Sequence, residues 1–269
     1  MSTEAAAANA AAPSRLLPRR LWHTPNGPGS GPLPELLLML TAVTGLVDAV
    51  SILALGRVFV ANMTGNVVFA GFALVGAPGF SLAASLFALA GFLLGAWVGG
   101  VMTSKIGHDR ALHMRAATGV ELALVAIALV LAAVSGGAGT FHGTTGLTHG
   151  VAPFDAASTD ALAAILAIAL GIQNAVARRL AVPDLTTTVL TMTLTGIGAD
   201  SRSGHRGRAL LIRRTLAVVT MLGSGALSAW LVLHAGTAAP LGIATGLLAI
   251  VAVWAAIAAR RPGEWRKAA

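Results

Sequence analysis

Two groups of polar side chains stand in otherwise apolar stretches of this chain. Asp48, Asn62, Thr64 and Asn66 form the first, in GLVDAVSILALGRVFVANMTGN; Gln173, Asn174, Thr186, Thr187 and Thr188 form the second, in GIQNAVARRLAVPDLTTTVLT. Carboxylate, amide and hydroxyl groups inside apolar segments line a cavity, pair with one another or relay protons. Asp48 is the sharpest candidate: facing a cavity, it could take up and release a proton or coordinate a cation. Otherwise it hydrogen-bonds a neighbouring helix, or meets interfacial water near Gly56 and Arg57. Gln173 and Asn174 either present amides to a solute or bridge helices, at about 1 kcal/mol each. A lone threonine would back-bond within its own helix. Two polar clusters at equivalent places favour a lined cavity, with Gly65 permitting unusual backbone angles or close approach. Pro183 and Asp184, just before the threonines, suit the start of a short helix.

The elements that must position these groups follow from composition. Of 269 residues, 56% are hydrophobic and only 10% charged, where a soluble domain carries about 25% charged residues. Apolar segments occupy roughly 33–55, 58–79, 81–104, 112–135, 159–178, 182–199, 210–233 and 237–259. A bilayer core about 30 Å thick asks for about 20 apolar residues per spanning helix. The chain therefore reads as an all-α polytopic membrane protein.

Internal repetition divides it in two. GLVDAV (45–50) matches GIQNAV (171–176), so that Asp48 corresponds to Asn174. MTGNVV (63–68) is set against LTTTVL (185–190), GFLLGAW (91–97) against SGALSAW (224–230), and ATG recurs at 117–119 and 244–246. Four matches in one order, at offsets between about 120 and 135 residues, point to duplication. In LTTTVL a glycine appears only later, at Gly196, so the register of that second segment is the weakest part of the alignment.

The 18 lysines and arginines set the topology. If all eight segments cross, they divide twelve to six; if the second and sixth dip in and return, seventeen share one face and Arg57 stands alone on the other. Positive residues resist translocation, which favours six crossings, two re-entrant or broken segments and both termini cytoplasmic. Three crossings per half would make the halves an inverted-topology repeat, a recurrent carrier plan whose site lies where the interrupted helices meet. The expected organisation is a disordered cytoplasmic tail (1–32), a first membrane repeat (33–135), an external loop (136–158), a second repeat (159–259) and a basic cytoplasmic tail (260–269).

Other residues carry less. Arg19-Arg20 resembles a twin-arginine signal, but the Pro/Gly-rich gap before Leu33 argues against one. Glu35 falls at the membrane edge; Glu121, deeper in the fourth segment, either pairs with Arg115 or lines the path. His142 and His149 in the external loop make a weak metal signal without a third ligand. The Gly91/Gly95/Gly99 series suits tight helix packing, within the monomer or in a homo-oligomer. Cysteine is absent, and no H-E-x-x-H, G-x-S-x-G or P-loop motif is present, so neither an enzyme nor a cofactor site is expected. The net charge of +8 is explained by flanks of membrane segments without nucleic acid.

The two polar motifs, with the apolar frame over residues 36–258, resemble the YoaK family of bacterial integral membrane proteins, a domain of unknown function. The resemblance implies a small multi-spanning protein of the bacterial inner membrane and brings no substrate. The expected function is therefore a secondary transporter or channel for a small polar or ionic solute, or else a non-transporting membrane scaffold or regulator.

Overall fold

The computed structural model describes residues 31–136, 154–182, 185–188, 190–199 and 204–267, with backbone alone for 204–209 and 264. The expected tail before Gly31, most of the external loop with His142 and His149, and Pro183 and Asp184 lie outside the described residues. The described residues form the helices α1 (Leu33–Ala54), α2 (Met63–Leu74), α3 (Leu82–Ile106), α4 (Arg110–Val134), α5 (Ala156–Leu180), α6 (Thr191–Ala199), α7 (Gly204–Ala235) and α8 (Ala238–Ala259), joined by short non-helical segments.

Six of these are long and apolar enough to cross a membrane, with spans of 22 to 26 residues. At 1.5 Å per residue these reach about 33–39 Å, which clears a hydrocarbon core. α2 and α6, with 12 and 9 residues, reach only about 18 and 14 Å. Both are preceded by non-helical backbone, over 55–62 and over the described residues 181–182, 185–188 and 190, so the second and sixth apolar segments are broken as the charge distribution requires.

Local chemistry sets the boundaries. The Ser81 hydroxyl accepts from the amide of Ala84 at 3.2 Å and starts α3. Asp109 accepts from the amides of Ala111 and Leu112 and starts α4; Asp155 accepts from Ser158 and starts α5. Gly107 and Gly236, both left-handed in φ, end α3 and separate α7 from α8.

The contacts sort the helix ends onto two faces. Arg110 at the start of α4 donates to the Leu180 carbonyl at the end of α5, at 2.5 Å, and to the Trp265 carbonyl, while Gly31 lies against the Trp265 ring. The start of α1, the start of α4, the end of α5 and the chain after α8 therefore share one face. On the other face, Gly56 at the end of α1 lies beside Ser81 and Ala84, and Gly79 lies beside the Arg57 guanidinium. The chain thus leaves α1, runs through α2 and returns to its starting point before α3 begins.

Parallel neighbours make the core. α3 packs along α5, where Cβ atoms at Gly91, Gly95 and Gly99 would overlap Ala164, Ile168 and the Ile172–Ala175 turn. α1 packs along α7 in the same way: Gly45 lies against Met221 and Ser224, and the Ser228 hydroxyl donates to the Leu46 carbonyl at 2.7 Å. Small residues let the backbones approach, which is how helices associate where apolar surface alone gives no net attraction. The glycine series of α3 is therefore spent inside the monomer. α4 packs on α5 and α8, and α8 on α1.

Candidate functional site

α1 carries a buried polar stripe of Thr41, Thr44, Asp48 and Ser51, spaced three and four residues apart on one face. Thr41 and Thr44 donate to the carbonyls of Leu37 and Leu40. Asp48 reaches sideways instead. Its Oδ1 accepts from the backbone amides of Val60 and Ala61, each at 3.2 Å, in the non-helical stretch before α2. Asn66 completes the arrangement from the first turns of α2: its Oδ1 accepts from the Phe59 amide at 2.8 Å and its Nδ2 donates to the Phe59 carbonyl at 2.5 Å. Three consecutive amides, 59 to 61, are thereby satisfied by side chains. In a membrane nothing else is available to non-helical backbone, so these polar residues are the condition for breaking the helix there. Gly65 leaves room for the Phe59 ring, which stacks on Phe69 with centroids 5.9 Å apart.

The second group answers the first from α5. Gln173 Nε2 donates to the hydroxyls of Thr44 and Thr187, both at 2.9 Å, and Asn174 Nδ2 donates to the Thr188 hydroxyl at 2.6 Å. The orientation of the Gln173 amide follows from chemistry. The Thr44 proton is already given to Leu40, so Thr44 can only accept, and the group facing it must be the NH2. Gln173 Oε1 is then left buried with no hydrogen-bond partner among the described residues. Thr187, a β-branched residue at φ 62°, is held in a left-handed conformation that such residues rarely adopt. Thr44 lies one helical turn from Asp48, about 6 Å along the axis, so the two groups meet at the crossing of α1 and α5.

Not every expected residue belongs. Asn62 caps α2 by position, with no side-chain capping bond, and Thr64 is exposed on α2. Thr186 is also exposed and contributes its backbone carbonyl, which accepts from the Thr188 amide at 2.8 Å. The matched register of MTGNVV and LTTTVL needs correction. α2 starts at Met63 but α6 only at Thr191, so LTTTVL precedes the short helix, and its described residues 185–188 are non-helical. Glu121 makes no pair with Arg115: both its oxygens are buried without a hydrogen-bond partner among the described residues, while Arg115 is exposed. Thr44 shares the stripe of Asp48, but its role as an acceptor depends on Gln173 of another helix, which spacing along α1 does not reveal.

Outside the spans, the chain after α8 is pinned by Arg266, which donates to the Asp109 carboxylate. Burial pushes that carboxyl up, but the guanidinium and the amides of Leu112 and Ala111 outweigh it and hold it below its ordinary value of 3.8. Two clefts, of about 460 and 310 Å³, lie between α3 and α4 near Arg115 and beside Trp254 and Trp265; neither is lined by residues of the two polar groups. Among the described residues no three histidine, aspartate or glutamate side chains gather as metal ligands.

Residues 36–254 match the family described as Protein of unknown function (DUF1275). Over 166 residues the chain is 34% identical to the UPF0700 transmembrane protein YoaK of Bacillus subtilis (strain 168). That match takes in 61% of this chain and 65% of the relative, just under two thirds of the relative's length. No solved structure matches.

Proposed function

The chain belongs to the DUF1275 family of multi-pass membrane proteins, and from that premise we propose that it is a secondary transporter or channel for a small polar or ionic solute. One observation carries the reading: Gln173 Oε1, an acceptor without a donor among the described residues, buried where α1, α5 and the stretch before α6 converge. A buried acceptor left unpaired costs about 1–3 kcal/mol, which a donor group or a cation entering the site would recover. Asp48, one turn of α1 beyond the Thr44 that Gln173 contacts, supplies the charge that would choose a cation or a protonated solute. Asn66, Asn174, Thr187 and Thr188 hold the two broken segments around that point.

The packing supports an inverted repeat. Pairing α1 with α5, α2 with α6, α3 with α7 and α4 with α8 turns the α3–α5 contact into α7–α1, and α4–α5 into α8–α1. The first broken segment leaves from the end of α1 and the second from the end of α5, on opposite faces. Carriers built this way place solute between the two halves and alternate access by rocking one against the other. The distribution of basic residues supports cytoplasmic chain ends, and the resemblance to a bacterial membrane family supports a place in the inner membrane. A homo-oligomer is compatible with the exposed apolar faces.

A scaffold or regulatory role is the second reading, favoured by the fact that the bonds of Asp48 and Asn66 end on the chain's own backbone. Flux screening in proteoliposomes separates the two. A transporter loses flux in Asp48→Asn and Gln173→Leu while the variants keep their fold; retained flux in both would sink the transport reading.

A further inference from the structure

Glu121 sits in the middle of α4, eleven residues after Arg110 and thirteen before Val134, fully buried. Neither carboxyl oxygen has a hydrogen-bond partner among the described residues. The hydroxyl nearest on its own helix, Thr118, is committed to the carbonyls of Met114 and Arg115. Across the seam, α8 holds no titratable residue at all, and its Thr245 donates to Leu241. Leu248, the position equivalent to Glu121 by the repeat, is a buried leucine.

The other charged groups around α4 lie at the ends of the bundle. On α5 these are Asp160, Arg178 and Arg179, on α3 Lys105, on α4 itself Arg110, His113 and Arg115, and beyond α8 Arg260, Arg261, Glu264, Arg266 and Lys267. Arg115 is about 9 Å lower along the axis and points outward. Among the described residues no countercharge therefore stands at the level of Glu121 on these helices. An ionised carboxylate placed there would be unpaired in the least polar part of the bundle, which is the costliest position for a charge. A metal cation is no better served: it asks for several oxygen ligands, and the facing helix offers none.

We propose that Glu121 is a membrane-embedded proton-binding site, holding a proton as the neutral acid in this closed bundle and exchanging it with water when the α4–α8 seam loosens. The step is simple: a hydronium ion delivers its proton to the carboxylate, leaving water, and the reverse step returns it. That seam is real: α4 packs on α8, and Ala117, Ala128 and Ala132 of α4 and Ala244 and Ala255 of α8 are all buried. The site is separate from Asp48 and does not rest on the transport reading. If that reading holds, Glu121 is the group through which a proton gradient would act.

Two measurements on the full-length protein in nanodiscs test it. Infrared spectra of the wild type minus Glu121→Gln should show a protonated-carboxyl stretch at acidic pH that converts reversibly to carboxylate as pH rises. The same band should survive in an Asp48→Asn background, which separates it from the α1 carboxyl. A band that persists to strongly alkaline pH, or one missing throughout, overturns the proposal. A lipid-soluble carbodiimide, which attacks only protonated carboxyls, should modify Glu121 in the wild type, located by peptide mass. Its labelling rate should fall about tenfold per pH unit above the midpoint. Absence of labelling, or labelling independent of pH, overturns it even where Glu121→Gln fails to fold.

Discussion

Asn66 offers the most direct measurement of what the broken segments cost. Its amide occupies both backbone groups of Phe59, accepting from the N–H at 2.8 Å and donating to the carbonyl at 2.5 Å, much as a neighbouring strand would. In Asn66→Ala both groups lose their partner. A buried polar group left unsatisfied costs about 1–3 kcal/mol, so the pair should lose about 2–6 kcal/mol. Asn66→Asp separates donor from acceptor. The carboxylate can still take the Phe59 amide but sets an oxygen against the Phe59 carbonyl, so its loss should be at least the 1–3 kcal/mol of one orphaned group. The assay is equilibrium unfolding in detergent, paired with hydrogen exchange at the Phe59 amide, which should lose protection in Asn66→Ala. If Asn66→Ala unfolds with the wild type and the Phe59 amide exchanges no faster, then water or lipid headgroups already serve this backbone. The account of why the helix breaks here would then be wrong.

Gly95→Ala should destabilise the bundle by about 1–3 kcal/mol or more, since the new methyl would enter the Ile168 carbonyl, whereas Gly119→Ala, facing open space, should leave the melting temperature unchanged. A double-mutant cycle of Thr44→Val and Gln173→Ala should return a coupling of about 0.6–1 kcal/mol; complete additivity would separate α1 from α5 at this crossing. The Asp109–Arg266 contact should stabilise the docked chain end above the ordinary aspartate value of 3.8 and release it as pH falls through the lower folded-state value. Trp265 fluorescence should follow that release, and Asp109→Asn should abolish the pH dependence. Asp48→Asn retains an oxygen acceptor for Val60 and Ala61 and should fold, whereas Asp48→Leu strands both amides and should not accumulate in the membrane.

Much of this was written in the chain. Eight apolar segments follow from hydropathy, and their division into six crossings and two interruptions follows from seventeen basic residues sharing one face only if segments two and six fail to cross. Asp48 and Asn66 were visible because an apolar context makes any polar side chain conspicuous. Their partners were not, because those are backbone amides that every residue owns. Thr44 stayed hidden for the opposite reason: threonine is common in membrane helices, and only the position of Gln173 on another helix gives it meaning. The register error at LTTTVL has a cause of its own. Apolar spacing and threonine align the two motifs, yet α2 begins on the first residue of its motif whereas α6 begins at Thr191, one residue after the end of LTTTVL.

The interlocking of α1 with α7 and of α3 with α5 has a consequence for how the protein is made. Each glycine-lined groove of the first half is shaped for a helix encoded more than seventy residues downstream. While the ribosome is still translating, α1 and α3 are in the bilayer with those grooves empty. Cutting the gene between Val134 and Ala156 should therefore yield two fragments that are each degraded when expressed alone and that assemble when expressed together.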